Sequence, residues 1–141
     1  MIFVRRLLLY SSWLTALFAT LGSLYFSEIL QFVPCALCWY QRILMYPLVL
    51  IIPIGILRKD KGLPLYVLPL SAIGAVIALY HELLQLKILS VGPTLCSNGV
   101  SCTTNYLSLF GFLSIPLLSL IAFIFISISM LVIIKTHPKH A

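Results

Sequence analysis

Polar positions are sparse along this chain, and where they fall divides it into four long apolar runs. Leu7 to Phe26 carries no charge. The second run, from about Trp39 to Leu57, has Arg42 near its start and Pro47 and Pro53 inside. Leu63 to Leu84 carries His81 and Glu82 close to its end, and about Leu107 to Ile134 is again uncharged and contains Pro116. A helix needs roughly 20 apolar residues to cross a bilayer, so each run is long enough. Prolines at such positions are tolerated in membrane helices, where neighbours re-satisfy the freed carbonyls. The pattern predicts an all-α integral membrane four-helix bundle, a single domain over residues 1–141 with helices at about 7–26, 39–57, 63–84 and 107–134. Arg5 and Arg6 give the first run the outline of a signal peptide. It exceeds a typical signal core, however, and no clear small-x-small cleavage site follows, so it reads as a retained helix.

Composition agrees with this reading. The 141 residues are 62% hydrophobic and 9% charged, with mean hydropathy +1.14. Soluble domains carry about a quarter charged residues, so a disordered tail or an ordinary soluble enzyme is excluded. The net charge of +6 would suggest nucleic acid in a soluble protein. Here it reads as topology, because Lys and Arg collect in cytoplasmic loops. Arg5, Arg6, Arg58, Lys59, Lys61, Lys135 and Lys139 fall on one side, against Lys87 and Arg42 on the other. Both termini and the Arg58–Lys61 turn are therefore expected in the cytoplasm, with no nucleic-acid partner. Two short loops face outward. Tyr25, Trp39, Tyr40, Tyr80 and Tyr106 mark the outer interface, and Tyr10, Trp13 and Tyr66 lie nearer the inner one, each readable as an interfacial anchor.

All four cysteines fall in the outward segments, one pair to each. Cys35 and Cys38 form a Cys-x-x-Cys at the mouth of the second helix, and Cys96 and Cys102 enclose Ser97-Asn98-Gly99-Val100-Ser101. Asn98-Gly99 favours a tight reversal that would bring the latter pair within bridging distance. Three readings compete. Stapling disulfides suit the oxidising side of a bacterial membrane, but a Cys-x-x-Cys bridge closes a very small loop and removes little chain entropy. A four-cysteine zinc site shares the Cys-x-x-Cys element, although the second pair has five intervening residues and thiolate zinc sites are more usual in the cytosol. The third reading, two pairs cycling between dithiol and disulfide, is favoured, with no metal site expected.

Local chemistry sharpens that preference. Pro34-Cys35 stands where the second helix begins, and unpaired amides at a helix N-terminus favour a thiolate. Cys38 and Arg42 are four apart and share a helix face, setting a cation beside a thiolate at Cys38; the simpler role for Arg42 is snorkelling to lipid headgroups. With about 1.5 Å rise per residue, Arg42 and His81 sit at similar depth in the outer leaflet. Ionisable groups at membrane depth are functional candidates. Beside a thiolate they suit a lipophilic acceptor of two electrons and two protons, while His81-Glu82 is also readable as a polar helix end without chemistry.

The strings Gly22-Ser23-Leu24-Tyr25-Phe26-Ser27-Glu28 and Pro34-Cys35-Ala36-Leu37-Cys38-Trp39-Tyr40-Gln41-Arg42-Ile43-Leu44-Met45-Tyr46-Pro47-Leu48 resemble the disulfide-bond-formation protein B family (DsbB), especially its short BdbC-type members. The likeness continues through Tyr80-His81-Glu82, the Cys96/Cys102 loop and Phe110-Gly111-Phe112-Leu113-Ser114-Ile115-Pro116, and covers essentially the whole chain. It implies a membrane thiol–disulfide oxidoreductase of the bacterial cytoplasmic membrane. Such an enzyme reoxidises an extracytoplasmic thioredoxin-like thiol oxidase (DsbA/BdbD-like) and passes electrons to quinone, ubiquinone or menaquinone, supporting disulfide formation in exported proteins. Carried over by position, Cys96 and Cys102 match the pair that exchanges with the oxidase. Cys35 and Cys38 match the pair facing quinone, with Cys38 nearest the ring; Arg42 matches the quinone-supporting arginine, and His81 a histidine implicated at the same site. Gln41 departs from the Glu of some longer members, and the Cys96/Cys102 loop is much shorter than theirs. Vitamin K epoxide reductase-type enzymes also combine four helices with a Cys-x-x-Cys, but carry it late in the bundle, whereas here it opens the second helix. A membrane scaffold with structural disulfides or zinc is the non-enzymatic alternative.

Overall fold

The computed structural model describes residues 2–88 and 114–136. They form four helices: α1 (Ile2–Glu28), α2 (Ala36–Leu57), α3 (Leu63–Gln85) and α4 (Ile115–Thr136). All four are long and apolar enough to cross a membrane, and the described residues contain no strand. The bundle is a ring in which α1 packs on α2, α2 on α3, α3 on α4, and α4 back on α1. Cys96, Cys102 and residues 107–113 of the fourth apolar run lie outside the described residues; Ser114 precedes α4 and caps it, accepting the Leu117 N–H at 3.2 Å.

Apolar side chains cover both faces of the bundle. Large ones such as Phe3, Phe18, Leu50, Val76 and Ile128 project outward, where acyl chains would cover them, while Leu48, Ile52, Phe123 and Ile126 fill the interior. Small residues also line the helix contacts: Ala16, Ser71, Gly74, Ala78 and Ala122 are buried. Small residues let membrane helices approach closely, which is where their packing energy comes from. The approach is tightest at Gly74, where an added Cβ would stand 2.3 Å from Phe123 Cε1, and at Gly55, where it would stand 2.5 Å from Leu63 Cδ1.

At Pro53 a neighbouring helix compensates for the proline inside α2. Pro53 has no N–H, so the carbonyl of Val49 loses its helical partner. The indole Nε1–H of Trp13 on α1 donates to that carbonyl at 3.1 Å. Trp13 thus serves as a cross-helix donor. At the same end of the bundle Arg5 Nη2 donates to the Asp60 carbonyl at 3.2 Å, tying the start of α1 to the α2–α3 turn. At the opposite end Ser114 donates to Glu82 Oε2, holding the start of α4 against α3. Arg5, Arg58, Lys59, Lys61 and Lys135 therefore gather at one end, and the Cys-x-x-Cys stands at the other.

Candidate functional site

Extended backbone at Cys35 (φ −75°, ψ 173°) leads into α2, with Cys35 as its N-cap residue and Cys38 in its first turn. This geometry turns both sulfurs to one side, and Cys35 donates to Cys38 Sγ at 3.3 Å. His81 on α3 meets them from across the bundle, its Nε2 3.6 Å from Cys35 Sγ. The imidazole is 1% exposed.

A buried imidazole must have partners for both nitrogens. Gln41, one turn into α2 from the cysteines and 7% exposed, supplies the second: its Nε2 lies 3.1 Å from His81 Nδ1. Ser119 on α4 donates to Gln41 Oε1 at 2.6 Å and so orients the amide. The donors then all point one way. Ser119 gives its hydrogen to Gln41, Gln41 to His81 Nδ1, His81 Nε2–H to Cys35, and Cys35 to Cys38. This row joins α4, α2 and α3 and ends with Cys38 as acceptor.

Cys35 itself departs from the thiolate expected at a helix start. Its thiol is pushed up to about 11, chiefly because it donates to Cys38 and then because it is buried, with His81 pulling the other way. Donation stabilises the protonated form of the donor, so the helix terminus is outweighed at this sulfur.

Arg42 turns toward α1. Its Nε donates to Ser23 Oγ at 2.7 Å and its Nη2 to the Ser23 carbonyl at 2.8 Å, with a further bond to Ser27 Oγ. The guanidinium also lies over the Trp39 ring, 5.6 Å from its centroid. A cation held by three α1 acceptors is a fixed wall of the site rather than a headgroup-seeking side chain. Ser23 and Ser27, four apart, share the α1 face that makes this possible.

Between these groups lies a cavity of about 490 Å³, lined by all four helices and including Cys35, Cys38, Arg42 and His81. That is the size of a small-molecule site, and its lining is mostly apolar with a few convergent polar groups. Two of those groups, Thr20 Oγ1 and Gln85 Oε1, are buried without a hydrogen-bond partner among the described residues. Unpaired buried polar atoms are costly, and they suit a ligand that brings its own carbonyl or hydroxyl groups. Of the sequence candidates, Cys35, Cys38, Arg42 and His81 come together here; Cys96 and Cys102 lie outside the described residues. Sequence reasoning passed over Gln41 and Ser119 as site partners. Their signal was available as polar side chains set within apolar runs.

The comparisons with known proteins decide the family. The model for "Disulfide bond formation protein DsbB" matches residues 5–133. The chain belongs to this family. It is 54% identical over 126 residues to the disulfide bond formation protein C of Bacillus subtilis (strain 168), covering 89% of this chain and 91% of that protein. A probable disulfide formation protein C of Halalkalibacterium halodurans is 52% identical over 129 residues, covering 91% and 93%. The probable disulfide formation protein C 1 of Bacillus anthracis is 48% identical over 128 residues, covering 90% and 91%. No solved structure matches the chain. Family and fold together make this a multi-pass membrane protein of disulfide bond formation, with an oxidoreductase role.

Proposed function

We propose that this protein reoxidises an extracytoplasmic thioredoxin-like thiol oxidase and passes the electrons to a membrane quinone, with both termini cytoplasmic and the cysteine pairs facing outward in a bacterial cytoplasmic membrane. The observation that carries the reading is the Cys35–Cys38 pair opening onto an apolar cavity of about 490 Å³ that also holds unpartnered buried polar atoms. Residues and cavity fit a quinone ring: Arg42 and Thr20 offer hydrogens to ring oxygens, and the apolar lining suits the ring itself. When bound, quinone supplies a sink for two electrons and two protons.

The chain's own residues account for the remaining steps. The partner's thiolate attacks the Cys96–Cys102 disulfide, and the partner's second thiol resolves the mixed disulfide. The partner is oxidised and the loop pair becomes a dithiol. One loop thiolate then attacks Cys35 of the Cys35–Cys38 disulfide, and Cys38 leaves as a thiolate. The second loop thiol attacks the mixed disulfide and restores the loop bridge, and the proton it releases passes to Cys35 as Cys35 leaves. The donor row from Ser119 to Cys35 ends on Cys38, so it supports negative charge there, while the Cys35 proton stays in place. Each handover follows the difference in reduction potential, at about 1.4 kcal/mol per 30 mV for a two-electron couple.

The test is anaerobic quinone reduction by purified protein in detergent, supplied with a reduced thioredoxin-like oxidase. Wild type is expected to turn over. Cys38→Ser and the Cys96→Ser/Cys102→Ser double variant should be inactive, and Arg42→Ala should work with a raised KM for quinone. Normal oxidation of the partner by the double variant would refute the relay, and no wild-type turnover with either ubiquinone or menaquinone would refute quinone as the acceptor.

A further inference from the structure

The two sulfurs and the imidazole also answer to a different chemistry. Cys35 Sγ, Cys38 Sγ and a ring nitrogen of His81 lie within 4.8 Å of one another. Tetrahedral zinc, with Zn–S about 2.3 Å and Zn–N about 2.0–2.1 Å, requires about 3.8 Å between sulfurs and about 3.6 Å between sulfur and nitrogen. Cys35 Sγ and His81 Nε2 already stand at 3.6 Å, and the sulfurs at 3.3 Å need to open only slightly. We propose that the reduced Cys35–Cys38 pair and His81 capture one soft divalent cation, Zn²⁺ or Cd²⁺, and that the captured ion blocks the pair from electron transfer.

Charge and surroundings favour this. Two thiolates, a neutral imidazole and a divalent ion sum to zero, which avoids leaving net charge in an apolar site. Three protein ligands leave a fourth position open toward the cavity. Arg42, the cation on the same face of α2, is committed to Ser23 on α1 and lies over Trp39.

A metal-ligating histidine needs a partner on its other nitrogen. With Nε2 on the ion, Nδ1 carries the hydrogen and needs an acceptor. Gln41 can provide one by turning its amide over. Oε1 then receives Nδ1–H, and the amide nitrogen donates to Ser119 Oγ. The Ser119 hydroxyl already lies 2.9 Å from the Pro116 carbonyl and can donate there instead. Both tautomers of His81 are thus satisfied by the same three residues. Binding displaces one proton from each thiol, and oxidation of the pair to a disulfide removes two of the three ligands, so capture is confined to the reduced state.

The experiment uses the Cys96→Ser/Cys102→Ser protein in detergent, reduced anaerobically, freed of reductant and titrated with Cd²⁺. The sulfur-to-cadmium charge-transfer band in the ultraviolet is the readout. One Cd²⁺ per chain is expected, with none bound after oxidation. Adding Cys38→Ser, a near-isosteric change, should abolish the band, and adding His81→Ala should weaken affinity at least tenfold. No stoichiometric band in the reduced protein, or unchanged affinity with His81→Ala, would overturn the proposal. Binding is read without quinone or partner, so failure of the quinone relay leaves this result standing, and the reverse.

Discussion

The two ends of the bundle are built on opposite rules. Toward the Cys-x-x-Cys, the helices are joined by polar groups: Ser119 to Gln41 to His81 to Cys35, and Arg42 to Ser23. Toward the Arg58–Lys61 turn the core is largely dry, with Leu48, Ile52, Leu63, Val67 and Ile126 fully buried and Gly55 and Gly74 in direct contact with neighbouring side chains; its buried polar groups are the small hydroxyls of Ser12, Ser71 and Ser129. Polar groups in a membrane interior stay only where every donor and acceptor can be matched, or where a ligand completes them. The half near the Arg58–Lys61 turn keeps only small hydroxyls in its core, and at Gly55 and Gly74 its packing leaves no room for an added methyl. The half near the Cys-x-x-Cys keeps a connected row of them along with a cavity, and the proposed exchange chemistry uses both.

Three perturbations test that contrast. Gly74→Ala should be the most damaging to the dry half, because its Cβ meets ring atoms of Phe123 at 2.3–2.6 Å and an aromatic ring cannot fold aside. The expected cost is about 1–3 kcal/mol, read as a lowered Tm in detergent; an unchanged Tm would mean the inner packing has room to give. Gln41→Leu attacks the polar half. It removes the amide from between Ser119 and His81 and should slow quinone reduction about tenfold, ~1.4 kcal/mol in the barrier. A Leu variant with wild-type turnover would leave the row of donors without a catalytic role.

The smallest effect belongs to the α2–α3 turn. The Tyr66 hydroxyl, then the Gly62 N–H, and then the charges of Arg5 and Arg58 hold the Asp60 carboxyl below its usual range. A depressed carboxylate adds stability above its ordinary pKa of about 4, which is lost as pH falls through the lowered value. Asp60→Asn should therefore flatten the Tm difference between about pH 6 and about pH 3. The change should be slight, because Asp60 is only half-buried and its interactions are screened by solvent. An equal pH dependence in the variant would show that the contacts of Asp60 do not feed into stability.

Hydropathy made the helices legible, since a run such as Leu63 to Leu84 has few alternatives to a membrane helix. The Cys-x-x-Cys with Arg42 four residues beyond Cys38 pointed to the chemistry proposed for the site. What a linear reading could not supply was direction. Cys38 and Arg42 share a helix face, yet the guanidinium is taken up by Ser23 on another helix. His81 read equally well as a helix end until the bundle set it 3.6 Å from Cys35. Helix N-terminal position alone argued for a Cys35 thiolate, and only the fold reveals that this thiol is a buried donor to its neighbour.

By itself, then, the sequence determined the four apolar spans, the clustering of basic residues at one end and the redox-capable cysteine spacing, because each is a property of neighbours along one chain. The tertiary structure decided which polar groups pair. Gln41, His81 and Ser119 stand on three different helices, and hydrogen bonds about 3 Å long depend on helix rotation and depth, which no local pattern encodes.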